Sequence, residues 1–198
     1  MTYILGLTGG IASGKSTASQ ILREFGAQIL DADLITHELQ QPYQAGWKQI
    51  YQVFGKEYFE GDELNRKKLG NLVFNDNEAL AKLNQIMHPL IRTEIKHRVE
   101  KLKTKHTKLI VIDMALLFED HYENQCTSTM VIDVSPECQI RRLMSRNQLT
   151  RAQAQARISA QMERTKRNQK ADDVIENNGS VDDLKQKMLK WLSSKDLI

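Results

Sequence analysis

The residues best suited to chemistry form one run near the amino terminus, Gly9-Gly-Ile-Ala-Ser-Gly14-Lys15-Ser16. The run satisfies the pattern GxxxxGK[ST], in which glycines let successive N–H groups cradle phosphate at the start of a helix. The lysine of this pattern reaches the β- and γ-phosphates, and the serine hydroxyl binds Mg²⁺. A glycine turn without a ligand is disfavoured because the run lies between a predicted strand and a predicted helix. The residues predicted to bind nucleotide are Gly10, Ile11, Ala12, Ser13, Gly14, Lys15, Ser16 and Thr17.

Four aspartates lie at the ends of predicted strands, where ligands of open α/β sheets bind. Asp31 and Asp33 follow the second strand, and a carboxylate there could accept the proton of an attacking hydroxyl. For Asp31, capping of the next helix is an equally good interpretation. Asp113 ends a strongly apolar strand, which suits a carboxylate that helps to hold Mg²⁺. Asp133 precedes a Ser-Pro turn, so we expect a structural role for it.

The segment 141–170 contains nine basic residues and one acidic residue, Glu163. Taken alone, such a run is usually a solvated helical face. Here it follows a predicted strand of the same sheet, so its loops should face the phosphate loop. This position favours an arginine-rich lid that neutralises charge on a transferred phosphoryl group.

The remaining candidates favour ordinary structural roles. The histidines form no cluster with metal-ligand spacing, and His88, directly before Pro89, is expected at the start of a helix. Cys126 and Cys138 are too few for a disulfide framework and are expected to be buried or inert, which favours a reducing cytoplasm. We expect no membrane span, because the most apolar stretch, 109–118, is short and contains Asp113. We also expect no secretory leader, because the first eight residues contain no basic residue and run directly into the glycine-rich loop.

These residues need an α/β framework to position them. The 198 residues are 40% hydrophobic and 27% charged, which excludes disordered, collagen-like and rod-like chains. Apolar runs predict five strands. The spacing predicts a helix over Lys15–Phe25, mostly helical structure from Leu34 to about Lys105 and a last helix from Asp182 to Trp191. The strands are Tyr3–Thr8, Ala27–Leu30, Leu109–Asp113, Thr129–Val134 and Val174–Ile175.

The order of these elements predicts one α/β domain of three layers, with a five-stranded parallel sheet and the P-loop NTPase architecture. The core is expected at about 1–33, 107–140 and 171–198. A helical insertion occupies about 34–106, and a basic helical pair forms the lid over 141–170.

The absence of NKxD and DxxG motifs excludes a GTPase, and the chain is short for a motor ATPase. A small-molecule kinase fits best. A nucleoside or nucleotide kinase, a non-enzymatic nucleotide-binding regulator and an RNA-associated P-loop protein remain as alternatives.

Nearly the whole chain resembles the dephospho-CoA kinase family. The phosphate loop is generic to many kinases, whereas two other segments are more specific to that family. These are Leu83-Asn-Gln-Ile-Met-His-Pro-Leu-Ile-Arg92 and Ala171-Asp-Asp-Val-Ile-Glu-Asn-Asn-Gly179. The resemblance also covers Leu64–Leu69, Leu116–Glu119, Arg142–Arg146, and Arg157 with Gln161.

The resemblance implies transfer of the ATP γ-phosphate to the ribose 3′-hydroxyl of dephospho-CoA, with Mg²⁺ as cofactor and with neither nucleic acid nor membrane as a partner. It implies that Asp33 is the base, that Lys15 and Arg142 act on the transferring phosphate, and that the insertion binds the acceptor. It further implies acceptor contacts from Thr8, Asp33, His88 and Arg92, and lid residues Arg146, Arg157 and Arg167. The predicted metal ligands, from the arguments above, are Ser16 and Asp113. A monomer or weak homo-oligomer is expected.

Three residues depart from the family pattern. Ala115 stands where proline is usual, Asn147 where aspartate is usual, and Arg167 where lysine is common. None of the three removes a residue to which chemistry has been given.

Overall fold

The computed structural model of the protein describes residues 2–198. The strands are β1 (Tyr3–Gly9), β2 (Gln28–Asp31), β3 (Phe59–Glu60), β4 (Glu63–Leu64), β5 (Leu109–Asp113), β6 (Ser128–Asp133) and β7 (Asp173–Glu176). The helices are α1 (Lys15–Glu24), α2 (Ala32–Leu39), α3 (Ala45–Phe54), α4 (Arg66–Asn75), α5 (Asn77–Lys103), α6 (Pro136–Asn147), α7 (Arg151–Ser159), α8 (Arg164–Lys170) and α9 (Val181–Ser194).

The chain divides into two compact units, which are described separately. The first consists of the chain up to Leu30 together with Leu102–Ile198, and the second is Asp31–Lys101. The second unit overlaps most of the insertion that the sequence predicts at about 34–106. Its role in binding the acceptor remains a prediction.

A five-stranded parallel sheet has the order β2-β5-β1-β6-β7. The central strand β1 pairs with β5 from Tyr3 opposite Leu109 and with β6 from Leu5 opposite Ser128. Strands β5 and β6 are buried along their whole length, which explains why they appear in the sequence as continuous apolar runs. All five predicted strands are present, and the predicted fold class is confirmed.

The core of the first unit lies between one face of this sheet and helices α1 and α9. Ala18, Ile21 and Leu22 of α1 are buried in one cluster with Leu184, Met188 and Leu192 of α9 and with strand residues such as Leu5 and Leu7. On the opposite face, a Cβ at Gly6 would come within 2.8 Å of the Cys126 sulfur. The sheet is therefore covered closely on both sides.

The second unit contains α2 to α5 and the antiparallel pair β3–β4. Its core is formed by Ile50, Phe59, Leu64, Leu69, Ile86 and Met87. The prediction that a helix begins near His88 and Pro89 was wrong, because α5 is continuous from Asn77 to Lys103 with Pro89 inside it. Apolar packing of Ile86, Met87, Ile95 and Val99 on both sides of Pro89 holds the helix together despite the missing N–H.

The prediction of two basic helices after β6 was also wrong, since three helices, α6, α7 and α8, lie between β6 and β7. Helix α6 ends at Gln148, which has a left-handed φ of 52°, and a capping box between Thr150 and Gln153 begins α7. A further break separates α7 from α8 without any glycine or proline to mark it in the sequence. Within residues 2–198, no helix has both the length and the apolar character needed to cross a membrane.

Candidate nucleotide-binding and phosphoryl-transfer site

The phosphate loop connects the end of β1 to the start of α1. The Ser13 N–H donates to the Gly10 carbonyl at 3.0 Å and closes a tight turn, and Ala12 has φ of 59°. Gly14 precedes α1 with φ of 93°, and a Cβ there would collide with the Asn177 amide nitrogen. Only glycine combines a positive φ with the absence of a Cβ at this position, so Gly14 is required for the turn into α1.

Two side chains hold the Ser13 carbonyl from outside the loop. Asn177 Nδ2 donates to this oxygen at 2.8 Å, and Arg142 Nη1 donates to it at 3.4 Å. Asn177 is itself fixed, because its N–H donates to the Asp133 carbonyl at 2.7 Å. The predicted residue Arg142 therefore lies directly against the loop, on the helix that follows β6.

The backbone of Ile11 is held in the same way by two glutamines. Its N–H donates to Gln161 Oε1 at 2.8 Å, and its carbonyl accepts from Gln139 Nε2, also at 2.8 Å. The prediction included neither glutamine among the site residues. The resemblance contained Gln161, but no property of the sequence indicated which loop atom it contacts.

Lys15 and Asp113 meet at the inner end of the loop. The Lys15 ammonium forms an ion pair with Asp113 Oδ1, while the Ser19 hydroxyl donates to Asp113 Oδ2. Asp113 is 4% exposed, so these two donors replace the water that its carboxylate lacks. Thr8, one strand residue before the loop, is also buried and donates from Oγ1 to the Ala115 carbonyl at 3.1 Å.

The arginines predicted for the lid have different surroundings. Arg167 is 7% exposed, with its Nη1 2.7 Å from the position of a Cβ on Gly10, and its Nη2 donates to the Met162 carbonyl at 2.6 Å. Burial lowers the pKa of the Arg167 guanidinium, and the carboxylates of Glu119 and Asp133 oppose this shift. Arg146 and Arg157 are exposed. The structure thus places Arg167 beside the phosphate loop and the other two at the surface.

The other predicted residues belong to the second unit. Asp31 caps α2, since its Oδ1 accepts from the N–H groups of Asp33 at 2.9 Å and Leu34 at 3.0 Å. Asp33 is exposed in the first turn of α2. His88 and Arg92 lie one turn apart on α5 and line a cavity of about 700 Å³, together with Ala81, Asn84, Gln85 and Pro89.

Two oxygen-bearing side chains near the phosphate loop, Asp113 and Ser16, are suitable ligands for a magnesium ion. Mg²⁺ takes oxygen ligands and is usually held by one or two side chains together with substrate phosphates and water. Asp113 supplies a carboxylate at the end of β5, and Ser16 supplies an exposed hydroxyl in the first turn of α1. Among residues 2–198, no group of three or more histidine, cysteine or acidic side chains could form a separate metal site.

The cysteines agree with the expectation that they are inert. Cys138 is buried and Cys126 is half-buried. Burial raises the pKa of the Cys126 thiol to about 12, with smaller contributions from the nearby carboxylates of Glu123 and Asp172. The thiolate is therefore scarce at neutral pH.

The chain is similar to proteins of known family along nearly its whole length. The family model described as dephospho-CoA kinase matches residues 3–183. A dephospho-CoA kinase from Lactobacillus johnsonii is 44% identical over 189 residues, which cover 95% of this chain and 96% of that protein. One from Geobacillus kaustophilus is 39% identical over 199 residues, covering 100% of this chain and 99% of that protein.

Solved structures of two kinases are similar to this chain along nearly its whole length. A dephospho-CoA kinase from Campylobacter jejuni has a TM-score of 0.75 at 30% identity, covering 98% of this chain and 97% of that one. A shikimate kinase from Acinetobacter baumannii has a TM-score of 0.57 at 17% identity, covering 100% of this chain and 97% of that one, and it shows the shared fold alone.

Proposed function

The chain belongs to the dephospho-CoA kinase family, and on that premise we propose which of its residues carry out the reaction. The family phosphorylates dephospho-CoA to CoA in the last step of CoA biosynthesis. ATP supplies the γ-phosphate and the ribose 3′-hydroxyl accepts it, which leaves ADP. The observation that carries the proposal is the phosphate loop, held in shape from outside, with Lys15 and Asp113 in contact at its inner end.

Lys15 is the residue that contacts the β- and γ-phosphates. Its ammonium forms an ion pair with Asp113. A phosphate oxygen can replace Asp113 in this pair, or bind the ammonium together with Asp113. The N–H groups from Gly14 to Thr17, at the start of α1, bind the phosphates, since those of Ile11 and Ser13 donate to Gln161 and to the Gly10 carbonyl. The positive end of α1 favours the negative charge of the phosphates.

Asp33 is the general base. It follows β2 by two residues and is exposed, whereas the neighbouring Asp31 is occupied as the cap of α2. A carboxylate in this role accepts the proton of the acceptor hydroxyl as the new O–P bond forms and the bond to ADP breaks. The proton therefore ends on Asp33 and then passes to solvent.

The arginines supply electrostatic stabilisation. Arg142 is attached to the loop through the Ser13 carbonyl, and Arg167 lies beside Gly10. Arg146 and Arg157, with long exposed side chains, are the residues of segment 141–170 that reach the phosphates on lid closure. Charge that spreads onto the transferring phosphoryl group is stabilised by such guanidinium groups.

Mg²⁺ is the expected cofactor, held by Ser16 and, through water, by Asp113. When bound, the ion neutralises charge on the β- and γ-phosphate oxygens. The acceptor contacts are Thr8 of the first unit and Asp33, His88 and Arg92 of the second. We further propose a cytoplasmic monomer or weak homo-oligomer whose partners are ATP and dephospho-CoA, with no role for nucleic acid or a membrane.

The test is ADP release from ATP and Mg²⁺, measured with and without dephospho-CoA, together with the mass and phosphorylation site of the product. We expect ADP release that depends on the acceptor and one added phosphate on the ribose 3′-oxygen. A protein that binds ATP but is not stimulated by dephospho-CoA would refute the assignment of the acceptor. Phosphorylation of a nucleoside or nucleotide instead would identify the alternative kinase class.

A further inference from the structure

We propose that Gln139 and Gln161 are positioning residues for phosphoryl transfer, acting through the two backbone polar groups of Ile11 in the phosphate loop. The proposal rests on the proposed function for its catalytic consequence. Its central test, ATP affinity, does not depend on the acceptor.

The geometry requires one glutamine to accept and the other to donate. The Ile11 N–H can only donate, so Gln161 presents its Oε1 to it, and the Ile11 carbonyl can only accept, so Gln139 presents its Nε2. Both distances are 2.8 Å, which is typical of a good hydrogen bond. Gln139 is 6% exposed, so its contact is shielded from water.

The two glutamines come from different parts of segment 136–170. Gln139 lies in the first turns of α6, and Gln161 lies in the break between α7 and α8. The Ile11 side chain also packs with Ile140, Leu143 and Ala154 of α6 and α7. Ile11 is therefore attached to the basic helices through its N–H, its carbonyl and its side chain.

This arrangement has a consequence for nucleotide binding. The phosphate loop binds anions only if its N–H groups converge, and an unrestrained loop would lose conformational entropy on binding. With Ile11 held on both sides, much of that ordering is present before ATP arrives. Gln161 lies just after the end of α7. The hydrogen bond between Ile11 and Gln161 therefore links the loop to the helix that contains Arg157.

The experiment replaces each glutamine with methionine, which keeps the length of the side chain but makes no comparable hydrogen bond. ATP dissociation constants are measured without acceptor, followed by kcat and KM for both substrates and by thermal unfolding. For Gln139→Met and Gln161→Met we expect ATP binding to weaken by about three- to tenfold. The KM for dephospho-CoA should change less than twofold. Gln155→Met is the matched control, because Gln155 is an exposed glutamine on α7. This variant should bind ATP like the unaltered protein.

Glutamate variants separate hydrogen bonding from charge. Gln161→Glu retains an oxygen that accepts from the Ile11 N–H, whereas Gln139→Glu loses the donor that the Ile11 carbonyl needs. Each adds one negative charge near the loop, so we expect Gln139→Glu to weaken ATP binding more than Gln161→Glu does. In the double methionine variant the loss should be smaller than the product of the two single losses, because both act on Ile11.

Methionine variants that lower thermal stability but bind ATP within twofold of the unaltered protein would overturn the proposal, since the glutamines would then support only the fold. Equal losses in the two glutamate variants would overturn it as well. If the unaltered protein binds ATP without phosphorylating dephospho-CoA, the proposed function fails, while the binding measurements still decide the role of the glutamines.

Discussion

Arg164, the first residue of α8, and Asp133, the last residue of β6, form a two-point ion pair. Arg164 Nε donates to Asp133 Oδ1 at 2.8 Å, and Nη2 donates to Oδ2 at 2.5 Å. The Asp133 side chain is 5% exposed and that of Arg164 is 43% exposed. The hydrogen bond to Asp133 is also the main cause that raises the pKa of Arg164. The pair thus attaches the end of the basic segment to the sheet and agrees with the structural role expected for Asp133.

Arg164→Met should destabilise the protein, because it leaves the buried Asp133 carboxylate without its cation. We expect the free energy of unfolding to fall by about 1–3 kcal/mol, less than for a fully buried pair because Arg164 is partly solvated. Urea denaturation measures this change. The control is Arg151→Met, which breaks the exposed pair with Glu137 and should cost less than about 0.5 kcal/mol. Equal losses in the two variants would contradict the structural role of the Arg164 pair.

Asp33→Asn should abolish turnover while ATP still binds, because the amide cannot take the proton of the acceptor hydroxyl. We expect kcat to fall by roughly 10²- to 10⁴-fold, the usual contribution of a general base, with the ATP dissociation constant within twofold. Single-turnover product formation and equilibrium ATP binding measure the two quantities.

Asp31→Asn is the matched control for that variant. Asparagine caps helices as well as aspartate does, so the cap of α2 is kept while the carboxylate is lost. We expect near-normal kcat. The opposite result, with Asp31→Asn inactive and Asp33→Asn active, would exchange the roles of the two aspartates.

The elements that could be predicted are those whose signal is local. Strand β5 is a continuous apolar run because both of its faces are buried, and the turn at Gly14 needs a residue without a side chain. The site contacts that could not be predicted are between residues far apart in the chain. Gln161 and Ile11 are 150 positions apart, and no periodicity relates them. The continuity of α5 through Pro89 was missed for a similar reason, since tertiary packing outweighed the local penalty.

Asp172 should make stability depend on pH in the acid range. Its Oδ2 accepts from the Thr129 hydroxyl and from the Thr129 N–H, both at 2.8 Å, and these bonds lower the pKa of the carboxyl. A carboxyl whose pKa is lower in the folded state stabilises the protein above its unfolded pKa of about 3.9. This stabilisation is lost as the pH falls through the lower folded-state pKa.

Asp172→Asn keeps an accepting oxygen and removes the charge, so it is the variant that tests this pH dependence. Urea denaturation at a series of pH values should give a constant difference from the unaltered protein between about pH 7 and 5 and a shrinking one below about pH 4. Asp183, whose pKa is also lowered, is present in both proteins and cancels. A difference that stays constant into strong acid would show that the Asp172 charge does not contribute.

Pro89 lies inside α5 and lines the same cavity as His88 and Arg92, the proposed acceptor contacts. We expect this proline to lower the stability of α5 while shaping that cavity. A proline inside a helix cannot donate to the carbonyl four residues earlier, which here belongs to Gln85. Pro89→Ala supplies that donor and should raise the free energy of unfolding by about 1–3 kcal/mol. The local change in α5 should move His88 and Arg92, so the KM for dephospho-CoA should rise several-fold while ATP affinity stays the same. Pro136→Ala is the control, because Pro136 is at the first position of α6, where no helical donor is lost. A Pro89→Ala protein with an unchanged KM for dephospho-CoA would show that Pro89 does not shape the proposed acceptor site.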